Sequence, residues 1–153
     1  MKIYSSTNTK KSSTISGGQN ALPFTLILKG HQMKTLKKFK VHQIILTQEE
    51  IDKINTSHEG HGAVLKHSLN LDIRYLKEKA GHLAWIGWVM NYYTHVCNIL
   101  AEDLNGVFEV GNIGPEEQYE RFSRMHSVSV GDIIEDENGE KHVVATWGFE
   151  KVA

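Results

Sequence analysis

The chain has 153 residues, 40% of them apolar and 23% charged, with a formal net charge of −1, proportions ordinary for a globular chain built around one core. A lone cysteine, Cys97, excludes an intramolecular disulfide scaffold, and no apolar run approaches the ~20 residues that span a bilayer. The near-zero charge conceals a gradient: residues 1–47 carry eight lysines and no acid, residues 48–98 six acids against five bases, and residues 99–153 twelve acids against four bases.

Residues 1–20 are basic and rich in Ser and Thr. They bury too little apolar surface to offset the entropy of ordering, so a disordered N-terminus is expected. Residues 21–153 are expected to form a single α+β domain, a small mixed or antiparallel sheet with two to four short helices. Pro23 permits a short edge strand through Leu28. Lys38–Thr47 reads as a strand: Phe39, Val41 and Gln43 alternate with Lys40 and His42 before the run Ile44-Ile45-Leu46. Thr47 and Glu50 have the spacing of a capping box, which starts a helix that ends near Asn55 and carries Ile51 and Ile54 on one face. Ser57–Gly62 is a loop by composition.

Residues 63–80 satisfy two periods. Leu69, Ile73, Leu76 and Ala80 fit a helix, whereas Leu69, Leu71, Ile73 and Tyr75 alternate as in a strand. The helix-forming run from Leu76 to Ala80 favours a helix, with Gly81 as its C-cap. Leu83–Met90, with Trp85 and Trp88, is expected to be buried; Gly87 weakens a helix there and leaves the type open. Tyr92–Leu100 reads as a strand, and Asp103 caps a helix carrying Leu104, Val107 and Phe108. Gly111–Gly114 is a turn, and Pro115 with Glu116 and Glu117 opens a helix to about Phe122. Val128–Glu135 is a strand interrupted at Gly131-Asp132. Asn138-Gly139 predicts a C-terminal β-hairpin with a two-residue turn, after which Lys141–Thr146 pairs back and Trp147–Val152 closes the chain.

Four groups carry candidate chemistry. His58, His61 and His67 stand at spacings that can ligate zinc, although the helical His-Glu-x-x-His pairing is absent and a fourth ligand is missing. His126, Ser127, Ser129 and Asp132 contain the residue types of a nucleophile, a base and an orienter. All four lie within seven residues, and an extended chain sets both serines on one face with His126 on the other. That favours serines satisfying local backbone groups over a triad. Trp85, Trp88, Tyr92, Tyr93, Trp147 and Phe149 read first as core aromatics; should Trp147 or Phe149 prove exposed, they form with those four residues a candidate partner-binding surface. Lys34, Lys37, Lys38 and Lys40 are the candidate nucleic-acid contacts. Cys97 lies in an apolar strand and reads as an inert buried thiol.

The segment from His126 to Ile134 (His-Ser-Val-Ser-Val-Gly-Asp-Ile-Ile), followed by Val143-Val144 and Trp147-Gly-Phe-Glu-Lys-Val152, resembles the YodL-like domain. The resemblance extends over residues 92–152 and includes Tyr93–Asn112 and Ile113–Glu117; Phe39–Gln43 is similar to the opening of small bacteriophage proteins of this type. The chain differs from that pattern in having Gly131 and Trp147 where the family often has serine. The resemblance implies a phage or mobile-element context and assigns no activity.

Three functional readings follow. The first is a non-catalytic phage-type accessory protein that binds a host or viral protein in the cytoplasm, with no cofactor and no membrane association. The second is nucleic-acid binding through the basic N-terminal segment, where phosphate neutralisation gives steep salt dependence. The third is a metal-dependent hydrolase that holds zinc on His58, His61 and His67.

Overall fold

A computed structural model describes residues 24–26, 34–76 and 79–153. The N-terminal residues 1–20, for which disorder is expected, lie outside these. Alternation of apolar side chains makes Lys34–Gln43 the central strand β2. It is preceded by the short strand β1, Phe24–Leu26, which pairs with its first half. β2 is flanked on one side by β3, Thr94–Ala101, and on the other by β5, Ile133–Glu135. Beyond β3 lies β4, Tyr119–Arg121; beyond β5 come β6, Lys141–Val144, and β7, Phe149–Lys151. The strand order is β4-β3-β2-β5-β6-β7, with every pair antiparallel. A bulge interrupts the β2–β3 register, since Val41 faces Cys97 and His42 faces His95, leaving Val96 as the extra residue.

Four α-helices accompany this sheet: α1, Gln48–Thr56; α2, Leu65–Tyr75; α3, Ala80–Val89; and α4, Leu104–Ile113. The molecule is therefore a small α+β fold, as expected. The helices cover both faces, because successive residues of a strand point opposite ways. Ile134 packs with Val107 and Val110 of α4, whereas the adjacent Ile133 packs with Ile73 of α2 and Ala84 of α3. Both isoleucines are fully buried, so each contributes roughly 1.5–3 kcal/mol of apolar transfer free energy.

Local signals hold where they involve neighbouring residues. Thr47 Oγ1 accepts from the Glu50 amide while the Glu50 carboxylate accepts from the Thr47 amide. Asp103 caps α4 by accepting from the Gly106 amide. The hairpin at Asn138-Gly139 is present, but its turn is longer than two residues. Asp136 Oδ1 accepts from the Asn138 and Glu140 amides, and Gly139 alone takes a positive φ, the arrangement of a type I turn followed by a left-handed glycine.

Elsewhere tertiary packing overrides local preference. β2 ends at Gln43, so Ile44–Leu46 leave the sheet and do not extend it. The single helix expected over 63–80 stops at Tyr75, and a second, α3, begins at Ala80. Gly81 is thus in the first turn of a helix and not the C-cap of one. Residues 83–89, whose type the sequence leaves open, are helical, and the segment is not buried throughout as expected: Trp85, Val89 and Met90 are exposed, because only one side of α3 packs on the sheet. Gly111 lies inside α4, which runs to Ile113. No α-helix follows Pro115: Glu116–Gln118 forms one 3-10 turn, and Tyr119–Arg121 joins the sheet by pairing with Cys97–Ile99. The strand expected from Val128 starts only at Ile133, because Ser127–Asp132 folds into a turn held by side chains.

Candidate functional site

At the C-terminal end of β2, Gln43 is fully buried and joins the strand to the 126–132 turn. Its Nε2 lies 2.8 Å from Asp132 Oδ2, 2.9 Å from the His126 carbonyl oxygen and 3.1 Å from His126 Nδ1, and its Oε1 accepts from the His126 amide at 3.2 Å. An amide nitrogen has two protons. His126 Nδ1 is 2.8 Å from the Ser127 carbonyl oxygen, which only accepts, so Nδ1 carries a proton and donates there. Gln43 therefore donates to Asp132 and to the His126 carbonyl. Asp132 Oδ2 also accepts from the Ser129 amide at 2.9 Å. Burial pushes the Asp132 carboxyl above the usual carboxylate range, against the opposing pull of His126.

The sequence-derived quartet is thus brought together, but not as a catalytic set. Asp132 is 3% exposed and faces inward. His126 Nδ1 is 3.8 Å from its carboxylate, and among the described residues no hydrogen bond joins either serine hydroxyl to His126. Ser127 is exposed, and Ser129 Oγ meets only Arg74 Nη2, at 3.5 Å. Cys97 is fully buried, and burial pushes its thiol up to about 12, which removes thiolate reactivity at neutral pH.

The histidine loop comes together in part. His61 Nδ1 and His67 Nε2 are 2.9 Å apart, while His58 lies outside this pair. Among the described residues no group of three or more His, Cys, Asp or Glu is placed to hold a metal ion. The basic strand meets the acidic half of the chain: Lys34 pairs with Glu102 at 2.7 Å, Lys38 with Glu120 at 3.2 Å and Lys40 with Glu135 at 3.0 Å. Lys37 is exposed. Three of the four candidate nucleic-acid contacts are therefore already engaged by carboxylates.

A polar cluster centred on His42 is built by pairing across the sheet. Its Nε2 is 3.0 Å from Glu135 Oε2, its ring stands edge-on to Trp88, and Lys141 sits over the Trp88 ring. Burial lowers the His42 pKa to about 4, despite the nearby Glu135. The folded state then binds fewer protons than the unfolded chain between pH 6.5 and 4, so this group's contribution to stability is lost as pH falls through that window. The difference amounts to roughly 3 kcal/mol at its full extent. His42→Gln is expected to remove this loss. Urea midpoints measured near neutral pH and near pH 4.5 should converge for the variant relative to wild type; equal pH dependence of the two proteins would refute the assignment. Comparing the two proteins is essential, because Asp132 titrates with the opposite sign in an overlapping range.

Trp147, in the turn between β6 and β7, is 85% exposed, while Phe149 is half-buried against the core. Thr146 Oγ1 approaches the Arg74 carbonyl at 3.4 Å, which brings this turn to the end of α2. There Tyr75 and Leu76 are 75% and 54% exposed. The three large apolar side chains thus come from two segments far apart in sequence. Leu76 escapes a reading by periodicity, because it matches the helical pattern of buried positions; Tyr75 matches only the strand alternation and falls off the helical stripe.

No family model, curated protein or solved structure matches this chain. No helix among the described residues is long and apolar enough to cross a membrane.

Proposed function

We propose that the chain is a phage-type accessory protein that acts by binding a host or viral protein in the host cytoplasm and carries out no bond-making of its own. The observation that carries this reading is the exposure of Trp147, Tyr75 and Leu76 on two segments that approach each other at Thr146 and Arg74. An indole in solvent leaves a large apolar surface uncovered, and exposed apolar surface of this kind marks interaction sites. Tryptophan and tyrosine also dominate binding energy where they anchor an interface. The context rests on the resemblance of residues 92–152 to the YodL-like domain. The alternatives have less support: most of the candidate lysines are neutralised by carboxylates, and the paired histidines supply two ligands where zinc takes three or four from protein.

The test uses the full chain, immobilised and exposed to a bacterial lysate, beside a Trp147→Ala/Tyr75→Ala double variant. Wild type is expected to retain a stoichiometric polypeptide that the variant loses, with the circular dichroism of the two proteins unchanged. A wild-type chain that retains nothing, or a variant that retains the same polypeptide undiminished, would overturn the proposal.

A further inference from the structure

The chain has three arginines. Arg121 pairs with Glu116. The other two, Arg74 and Arg124, have no carboxylate within ion-pair distance among the described residues, and both line the same cleft of about 540 Å³. The cleft lies between α1, α2 and residues 124–126, a volume within the ~300–1,000 Å³ range of small-molecule sites. His67 and His126 add two further nitrogen heterocycles to its wall, and no Asp or Glu lines it. The remaining wall is largely apolar, with Leu46 and Ile51 among its residues.

Arg74 is incompletely satisfied. Its one hydrogen bond to a side chain is the 3.5 Å approach to Ser129 Oγ, and its buried Nε–H has no partner. Asp132 contributes an attractive charge to Arg74, but its carboxyl is buried behind the wall and accepts from Gln43 and the Ser129 amide. The positive field in the cleft is also felt by His67, whose pKa is held below the ordinary value first by burial and then by the charges of His61 and Arg74. Two guanidinium groups facing one partly apolar cleft without a carboxylate have the donor arrangement that recognises a carboxylate or phosphate.

We propose that this cleft binds an oxyanion, carboxylate or phosphate, carried on a small apolar body, with Arg74 and Arg124 as its principal contacts. The oxyanion pairs with the guanidinium groups, and the body lies against Leu46 and Ile51. None of Trp147, Tyr75 and Leu76 lines this cleft, and its binding does not depend on them.

The test follows the arginine Nε–Hε signals of the full chain by ¹H–¹⁵N NMR during titration with inorganic phosphate, phenyl phosphate and benzoate, at ionic strength held constant with sodium chloride. Phenyl phosphate or benzoate is expected to shift the Arg74 and Arg124 signals in a saturable manner and to bind more tightly than inorganic phosphate; which of the two binds better identifies the head group. Arg124→Gln, at an exposed position where folding is not at risk, should weaken binding by about tenfold, as loss of one charge-assisted contact implies. Absence of saturable shifts with all three probes, or binding unchanged in Arg124→Gln, would overturn the proposal. Inorganic phosphate binding as tightly as phenyl phosphate, with benzoate silent, would refute the role of the apolar wall.

Discussion

Gln43→Leu is expected to destabilise the fold by roughly 2–4 kcal/mol, because it removes three hydrogen bonds at once and leaves the buried Asp132 carboxylate short of a donor. The leucine retains volume and apolar contact, so the loss comes from hydrogen bonding. Asp132 would lose one of its two donors to Oδ2, and the amide and carbonyl of His126 would each lose their partner. The effect should spread beyond β2, since Gln43 is the only side chain of that strand bonded to the 126–132 turn among the described residues. Urea denaturation monitored by tryptophan fluorescence would measure it. A loss below about 1 kcal/mol, the worth of one ordinary hydrogen bond, would show that the turn holds itself and that Gln43 is incidental.

Gly81→Ala is expected to cost roughly 3 kcal/mol, at the upper end for overpacking a well-filled site. A Cβ at this position would lie 2.2 Å from the Lys151 carbonyl oxygen. That atom belongs to the backbone of β7 and cannot rotate away as a side-chain tip can. The Gly81 amide meanwhile donates to Glu150 at 2.9 Å, so α3 and β7 are joined where a methyl group would separate them. Helix propensity alone predicts the opposite sign, because alanine is the better helix former by about 1 kcal/mol. The sign of the change in urea midpoint therefore decides between local propensity and tertiary contact. A neutral or stabilising substitution would mean that β7 moves freely relative to α3.

These two residues show where the amino-acid pattern is informative and where it is not. Gln43 falls in the same alternating phase as Phe39 and Val41, and a polar residue in an apolar phase signals a buried hydrogen-bonding group. Its partners, more than eighty residues away, leave no comparable trace. Gly81 follows a run of good helix formers and so matches a helix end, whereas its real constraint is the approach of a strand from the far end of the chain. The caps at Thr47 and Asp103 are legible because donor and acceptor lie three residues apart. Tyr119–Arg121 misleads for the opposite reason: Pro115-Glu116-Glu117 is a sound helix start, but pairing with Cys97–Ile99 draws the following residues into the sheet. Exposure is the least legible property. The helical stripe of Leu69, Ile73 and Leu76 does separate Ile73, which is 1% exposed, from Tyr75, which lies off it and is 75% exposed, but it does not separate Ile73 from Leu76, which shares the stripe and is 54% exposed.

The candidate surfaces follow the same logic. Among the described residues, three lysines of the basic strand β2 meet carboxylates of the acid-rich end, Lys34 with Glu102, Lys38 with Glu120 and Lys40 with Glu135. Such exposed pairs add little stability each, about 0–1 kcal/mol. Their main consequence is that a phosphate would compete with Glu102, Glu120 and Glu135 for Lys34, Lys38 and Lys40. His126 and Asp132, tied together through Gln43, hold the 126–132 turn, whereas neither serine hydroxyl bonds a local backbone group among the described residues, contrary to the expectation from the sequence.

We propose that this chain acts through the exposed Trp147 and Tyr75 rather than through the polar turn. It is tested most directly by measuring the equilibrium affinity of wild type and of Trp147→Ala/Tyr75→Ala for the polypeptide that wild type retains, together with the urea midpoint of each protein. The account predicts at least a tenfold loss of affinity, the scale of about 1.4 kcal/mol for anchor removal, at an unchanged midpoint. Equal affinity of the two proteins would contradict it.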